Sequence, residues 1–313
     1  MGKRVLEGLV VATITPYTPE LRLDIEAYKW LVEKLVDRGV SGIFIGTTGE
    51  WPLLSIKERI KLYEAAMDAA KGRASIIGVV TGINVDDTLN NAHLAADTGL
   101  DALASVPPLY FKPSNDRLRD FYVNLSAKVD KPVIIYTIPS LVGYNIPVSV
   151  VRDIAVEVDG VKGIKATVED LTYILDLISE VKQVRRDFSI LPGYGEYLLA
   201  SLVYGGDGVV DAVSNTVPGL GVKIIEEFRE GRLEEARRLH ARFYRVAKLF
   251  RSQPLQSLIK KVLSRLGAPI TPYVRPPLAE AHDEVASEIA SLLCSEYRNE
   301  ALCAHPKPDY QHI

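Results

Sequence analysis

Residues 161–167 read VKGIKAT, a mainly apolar stretch from Val161 to Ile164 that runs into Lys165, with small residues after it. An amine held at the end of a buried strand is poorly hydrated, and desolvation disfavours its ammonium form. A neutral lysine condenses with a ketone to give a Schiff base. The protonated imine is an electron sink, so a C–C bond β to it can break or form through an enamine. That chemistry needs a hydroxyl acid/base, which a tyrosine aligned with other hydroxyls supplies. Tyr136 in YTIPSLVG, Tyr110 in PPLYFKP and Thr47 in GTTGE offer such hydroxyls. The Gly-rich turn 46–50, with its backbone N–H groups and the Thr47 and Thr48 hydroxyls, is a natural carboxylate cradle. Lysine, tyrosine and cradle together fit a 2-oxo-acid aldolase. Each residue alone also has a structural reading: Gly46 and Gly49 in a tight turn, Lys165 in an ion pair with Glu50 or Asp211.

Nothing in this set calls for a metal or an organic cofactor. The five histidines, His93, His240, His282, His305 and His312, have no metal-ligand spacing. GTTGE lacks the Gly-Lys-Ser/Thr ending of a phosphate-binding P-loop.

The elements that must carry these residues alternate short β-rich runs with amphipathic stretches. Strands are predicted over 6–14, 42–45, 74–80, 101–106, 132–136, 161–165, 188–192 and 208–212. Helices fill the intervals, one of them opened by the capping box Ser55-Ile56-Lys57-Glu58. The strands are continuously apolar, as parallel strands covered on both faces are. Eight such units predict an α/β fold, a (β/α)8 TIM barrel over residues 1–230, with its active site at the C-terminal strand ends. That rim collects GTTGE, PPLYFKP, Tyr136, Lys165, the PGYGE turn (192–196) and Asp211. After Gly231 three helical segments, 232–252, 254–266 and 278–295, predict a C-terminal extension over 231–297. Residues 298–313 are polar and read as a flexible tail.

The bulk composition narrows the partners. The chain has 313 residues, 47% hydrophobic and 25% charged, with a formal net charge of −3. There is no basic field for nucleic acid or an anionic membrane, and no apolar run approaches a membrane span. Glu7 interrupts the N-terminal apolar run, which reads as a first strand rather than a signal peptide. Two cysteines, Cys294 and Cys303, form no framework and point to a reducing, cytoplasmic setting. Few Cys and Met with many Arg, Glu and Pro would suit a thermophile.

GTTGE, the tyrosine of Y-x-x-P and the G-x-K at strand six resemble the dihydrodipicolinate synthase/N-acetylneuraminate lyase family of class I pyruvate-dependent aldolases, over residues 6–295. The resemblance implies that Lys165 forms the Schiff base with pyruvate and that Tyr136 moves the proton. It implies a relay through Thr47 and a Tyr110 lent by a neighbouring subunit, hence a homo-oligomer, commonly a tetramer built from dimers. It makes Thr48 and Gly46, within the cradle, and the Val210 backbone pyruvate contacts. Lysine-pathway synthases carry an Arg two residues after the motif proline. Here Leu141 stands there and supplies no bidentate contact to a second carboxylate. Sialic acid lyases carry GYDE. Here it is GYGE, with Gly195 in place of the Asp and Glu196 kept, and Ala212 in place of their strand-eight Ser. DGVVDAVSNTVPG (207–219) and YVRPPL (273–278) look most like the archaeal type of 2-keto-3-deoxygluconate aldolase. The expected reaction is reversible cleavage of a 2-keto-3-deoxy sugar acid to pyruvate and an aldehyde. Glu196, Asp211 and Ser214 are the candidate hydroxyl contacts, and Lys112 is a candidate for a phosphate. The alternatives are the lysine-pathway synthase, sialate cleavage and an inert pyruvate-binding barrel.

Overall fold

The computed structural model describes residues 6–303. Eight parallel strands carry the fold: β1 (Gly8–Ala12), β2 (Gly42–Ile45), β3 (Ser75–Val79), β4 (Ala102–Ser105), β5 (Val133–Thr137), β6 (Val161–Ala166), β7 (Ser189–Pro192) and β8 (Gly208–Asp211). They pair in the order β7-β6-β5-β4-β3-β2-β1-β8. The remaining seam is bridged by Asp207, whose N–H donates to the Ile190 carbonyl at 3.1 Å and whose carboxylate accepts from the Ile190 N–H at 2.7 Å. The predicted TIM barrel is therefore the observed fold.

Helices α1 (Ile25–Asp37), α2 (Ile56–Ala70), α3 (Val85–Ala96), α4 (Asn115–Ala127), α5 (Pro139–Val142), α6 (Val148–Glu157), α7 (Leu171–Val184), α8 (Leu198–Val203) and α9 (Pro218–Arg229) lie between and after the strands. The predicted capping box holds, Ser55 with Glu58 closing it on α2, and Asp24 opens α1 by accepting from the Ala27 N–H at 3.0 Å. The one-turn helix α5 lies inside YTIPSLVG, where Pro139 opens it and Gly143 ends it in the left-handed region. Its four residues are too few for a periodic signal.

Period-two alternation divides the strands between two apolar layers. Val11, Ile43 and Ile135 face the surrounding helices, whereas Val10, Phe44, Ile134 and Leu191 fill the barrel interior. On β6, Ile164 and Ala166 face outward, so Lys165 between them points inward.

Helices α10 (Leu233–Leu249), α11 (Leu255–Arg265) and α12 (Asp283–Glu296) follow the barrel. α10 lays Ala236, Leu239, Phe243 and Val246 on one buried stripe at helical spacing. α12 starts at Asp283 rather than at 278. Pro276 and Pro277 lack N–H groups, and the stretch before α12 is tied to α11: the Ala281 N–H donates to Ser257 at 2.9 Å and Lys261 donates to the Ala281 carbonyl at 2.8 Å. The first residues of the expected tail pack instead of fraying. Ala301 and Leu302 are buried, and the Leu302 N–H donates to the Thr216 carbonyl at 2.8 Å. The rest of that tail, 304–313, lies outside the described residues. Cys294 and Cys303 approach to 3.9 Å as free thiols.

Candidate active site

Tyr136 and Lys165 sit opposite each other in the β5–β6 register, both inside the barrel near its C-terminal rim. Lys165 is 3% exposed and takes neither Glu50 nor Asp211 as an ion-pair partner; the Asp211 charge perturbs it at longer range. Desolvation pulls its pKa down to about 7, partly opposed by the Asp211 charge. A large fraction of the amine is then neutral at neutral pH, as a nucleophile needs. The Tyr136 hydroxyl donates to Thr47 Oγ1 at 3.0 Å. Burial pushes the phenol up to about 12, with the Thr47 bond pulling the other way.

Thr47 and Thr48 stand in a single 3-10 turn, Thr47–Gly49, directly after β2. The first N–H groups of such a turn have no intrahelical partner. Thr15 holds the turn from beneath by donating to the Gly49 carbonyl at 2.7 Å. Glu50 ends the turn at φ 61°, and its carboxylate accepts from Lys260 of α11 at 2.5 Å with both side chains wholly buried. Gly46 is required by the ring below it: a Cβ there would lie 2.5 Å from Phe44.

The far wall comes from β7, β8 and the C-terminal helices. Asp211 Oδ2 accepts from both the N–H and the hydroxyl of Ser214, each at 2.6 Å. Burial raises the Asp211 pKa to about 6 against those bonds. Glu196 pairs with Arg251 at 2.6 Å. Leu141 is 66% exposed at the mouth. The Thr167 hydroxyl, just beyond β6, is buried, lines the same cavity and acts with Thr47 to pull the Tyr136 pKa down. The cavity holds about 710 Å3, the size of a small-metabolite site.

The Dihydrodipicolinate synthetase family model matches residues 5–295. The chain belongs to that family. A DapA-like lyase from Thermofilum pendens is 34% identical over 287 residues, covering 91% of this chain and 95% of that one. A probable 2-dehydro-3-deoxy-D-pentonate aldolase from Escherichia coli is 30% identical over 291 residues, covering 92% of this chain and 97% of the other. Among solved structures, a dihydrodipicolinate synthase from Thermotoga maritima superposes with a TM-score of 0.89 at 28% identity, covering 93% of this chain and 98% of that one. A prophage protein of the family from E. coli K12, solved with pyruvate, gives 0.88 at 26% identity over 92% of this chain and 98% of that one. The family's members are lyases and aldolases, and this chain is an enzyme of that class.

Within this family member the cavity gathers Lys165, Tyr136, Thr47, Thr48, Val210, Leu141, Glu196 and Asp211. Three expected contacts fall outside its lining. Ser214 is wholly buried and its hydroxyl is used on Asp211. Gly195 faces inward, where a Cβ would meet the Phe243 ring at 2.4 Å and Asp211 Oδ1 at 2.8 Å, so no side chain fits there. Gly46 works through its close approach to Phe44. Tyr110 is 90% exposed and stacks edge-on with Phe111 on the 107–113 loop, away from the cavity of its own chain. Lys112 is exposed and also outside the lining. Sequence reasoning missed Phe44, Thr167, Glu169 and Arg251. Strand alternation was the signal for Phe44; for Arg251 there was none, because it arrives from the end of α10.

Proposed function

We propose that this enzyme reversibly cleaves a 2-keto-3-deoxy sugar acid to pyruvate and an aldehyde through a Schiff base on Lys165. The observation that carries the reading is the buried, unpaired Lys165 amine beside a Tyr136 hydroxyl hydrogen-bonded to Thr47. The neutral amine adds to the C2 ketone, and the carbinolamine loses water to leave a protonated imine. The Tyr136–Thr47 pair, having given a proton to the hydroxyl that leaves the carbinolamine as water, accepts the proton of the C4 hydroxyl. The C3–C4 bond then breaks, its electrons pass into the imine to form an enamine, and the aldehyde leaves. Protonation at C3 and hydrolysis release pyruvate and restore the amine. The Thr47–Thr48 turn holds the carboxylate, with the Val210 backbone alongside. No metal or organic cofactor enters these steps.

The far wall favours a hydroxylated tail over a second anion. Leu141 offers no charge, and Arg251 is already held by Glu196, while Glu169, Glu196 and Asp211 present acceptors. A hydroxyl chain donates to carboxylates, whereas a second carboxylate or a phosphate is repelled by them. Tyr110 from a neighbouring subunit completes the relay in a tetramer built from dimers.

Borohydride with pyruvate is expected to add a stable mass increment to the protein, and Lys165→Ala is expected to abolish it. Unmodified wild type would leave only an inert barrel. Condensation of pyruvate is then compared with glyceraldehyde, aspartate semialdehyde and N-acetylmannosamine as partners. Glyceraldehyde is expected to win. Preference for the semialdehyde or for N-acetylmannosamine would replace the sugar-acid assignment with the synthase or sialate reaction.

A further inference from the structure

The Lys165 amine lies in an aromatic corner. Its Nζ is 4.2 Å from the ring centroid of Phe44 and 4.2 Å from that of Tyr136. The two rings meet edge to face, 5.5 Å apart and 83° between planes. Tyr136 has a task in proton transfer, but Phe44 has no polar atom and is wholly buried on β2. A phenylalanine there could serve only to fill the barrel. Its ring instead faces the one nitrogen of the interior that must become a cation during the reaction. The ring face carries the negative part of the aromatic quadrupole, and its attraction for a cation grows as water is excluded.

We propose that Phe44 is a catalytic residue, its π face touching the reacting nitrogen and stabilising the cationic imine and the ammonium form of Lys165. This rests on Lys165 being the Schiff-base lysine. Condensation of the neutral amine takes up one proton from the Tyr136 acid, makes the C–N bond, expels the carbonyl oxygen as water and leaves one positive charge on nitrogen. That charge arises where Lys165 has no ion-pair partner among the described residues. The titratable groups that face it are the Tyr136 phenol on β5 and the Asp211 carboxylate on β8; behind them Glu196 acts on Asp211 and Tyr194 on Tyr136. β2 contributes no charge; its share of the cation's surroundings is the ring of Phe44.

The direction of a pH shift separates this role from simple filling. Phe44→Leu and Phe44→Met keep apolar bulk but remove the ring face. Losing a cation's partner lowers the pKa of Lys165, whereas water entering a poorly filled site raises it. The amine is titrated by pulse acylation at a series of pH values, with the Lys165 peptide read by mass. Both variants, folded by circular dichroism, are expected to shift the midpoint down, by about half to one pH unit. Borohydride trapping at subsaturating pyruvate is expected to fall several-fold in both, on the order of a cation–π contact. An unmoved or raised midpoint in both variants, or trapping equal to wild type, would overturn the proposal. Wild type that never traps pyruvate would sink the Schiff-base reading instead, while the acylation titration still reports what Phe44 does to the ammonium.

Discussion

At the residue scale the cavity holds an amine whose proton is easily lost. Lys165 has a folded pKa of about 7 against 10.5 for a free lysine. Between those values the unfolded chain holds a proton that the native chain has released, so this group makes stability rise with pH across that window. Lys165→Met is expected to flatten that slope and to stabilise the fold near neutral pH, as read by urea denaturation from pH 7 to 10. Asp211 acts in the opposite sense on the amine, since its charge raises the Lys165 pKa. Asp211→Asn keeps an acceptor for Ser214 and removes the charge. It is expected to move the acid limb of pyruvate trapping to lower pH; an unmoved limb would show that the two groups do not face each other electrostatically. Tyr136→Phe removes the hydroxyl bonded to Thr47. Aldol turnover is expected to drop about 10²–10⁴-fold while imine trapping with pyruvate survives, the mark of a lost proton carrier rather than a lost nucleophile.

At the element scale, the Thr47–Gly49 turn is held from behind by the C-terminal helices. Lys260 of α11 donates to Glu50 at 2.5 Å and to the Tyr273 carbonyl at 2.9 Å, and its Nζ lies 4.3 Å from the centroid of the Tyr17 ring. Arg275, in the YVRPPL segment, covers Tyr17 at 4.7 Å and pairs with Glu58 on α2 at 2.6 Å. Lys260→Met would leave the Glu50 carboxylate buried without its partner, at a cost of about 3–5 kcal/mol. The double variant with Glu50→Gln is expected to recover most of that loss in denaturant titrations. Additive losses would mean that the two side chains do not act as a pair.

The elements were largely legible in the sequence because their signals are local. The capping box of α2 and the eight apolar runs each sit within one short window. Glu50 and Lys260 are 210 residues apart, and only the folded barrel brings them together. A separation far beyond one local window likewise hid Arg251 from Glu196. Gly195 was read as a lost acidic contact because type and position alone do not reveal the Phe243 ring pressed against it.

At the scale of the whole molecule, one exposed pair of rings asks for a second copy. Tyr110 is 90% and Phe111 79% exposed, and Tyr110 is held at φ 69°, a left-handed conformation uncommon for a bulky side chain. Strain of that kind persists where the surroundings or a function demand it. The loop is anchored from its own barrel, since the Tyr144 hydroxyl donates to the Pro108 carbonyl at 2.5 Å. Two aromatic rings on an anchored, strained loop suit insertion into a neighbouring subunit, where Tyr110 would extend the Tyr136–Thr47 relay. Complementation tests this directly. Lys165→Ala and Tyr110→Phe chains are each expected to be nearly inactive alone. In a dimer of the two, one site lacks both groups, and the other has an intact Lys165 together with the intact Tyr110 of its partner. Co-expressed chains are therefore expected to regain up to about half the activity per mixed dimer. If Tyr110 serves its own subunit, every mixed site keeps one defect, and co-expression restores nothing.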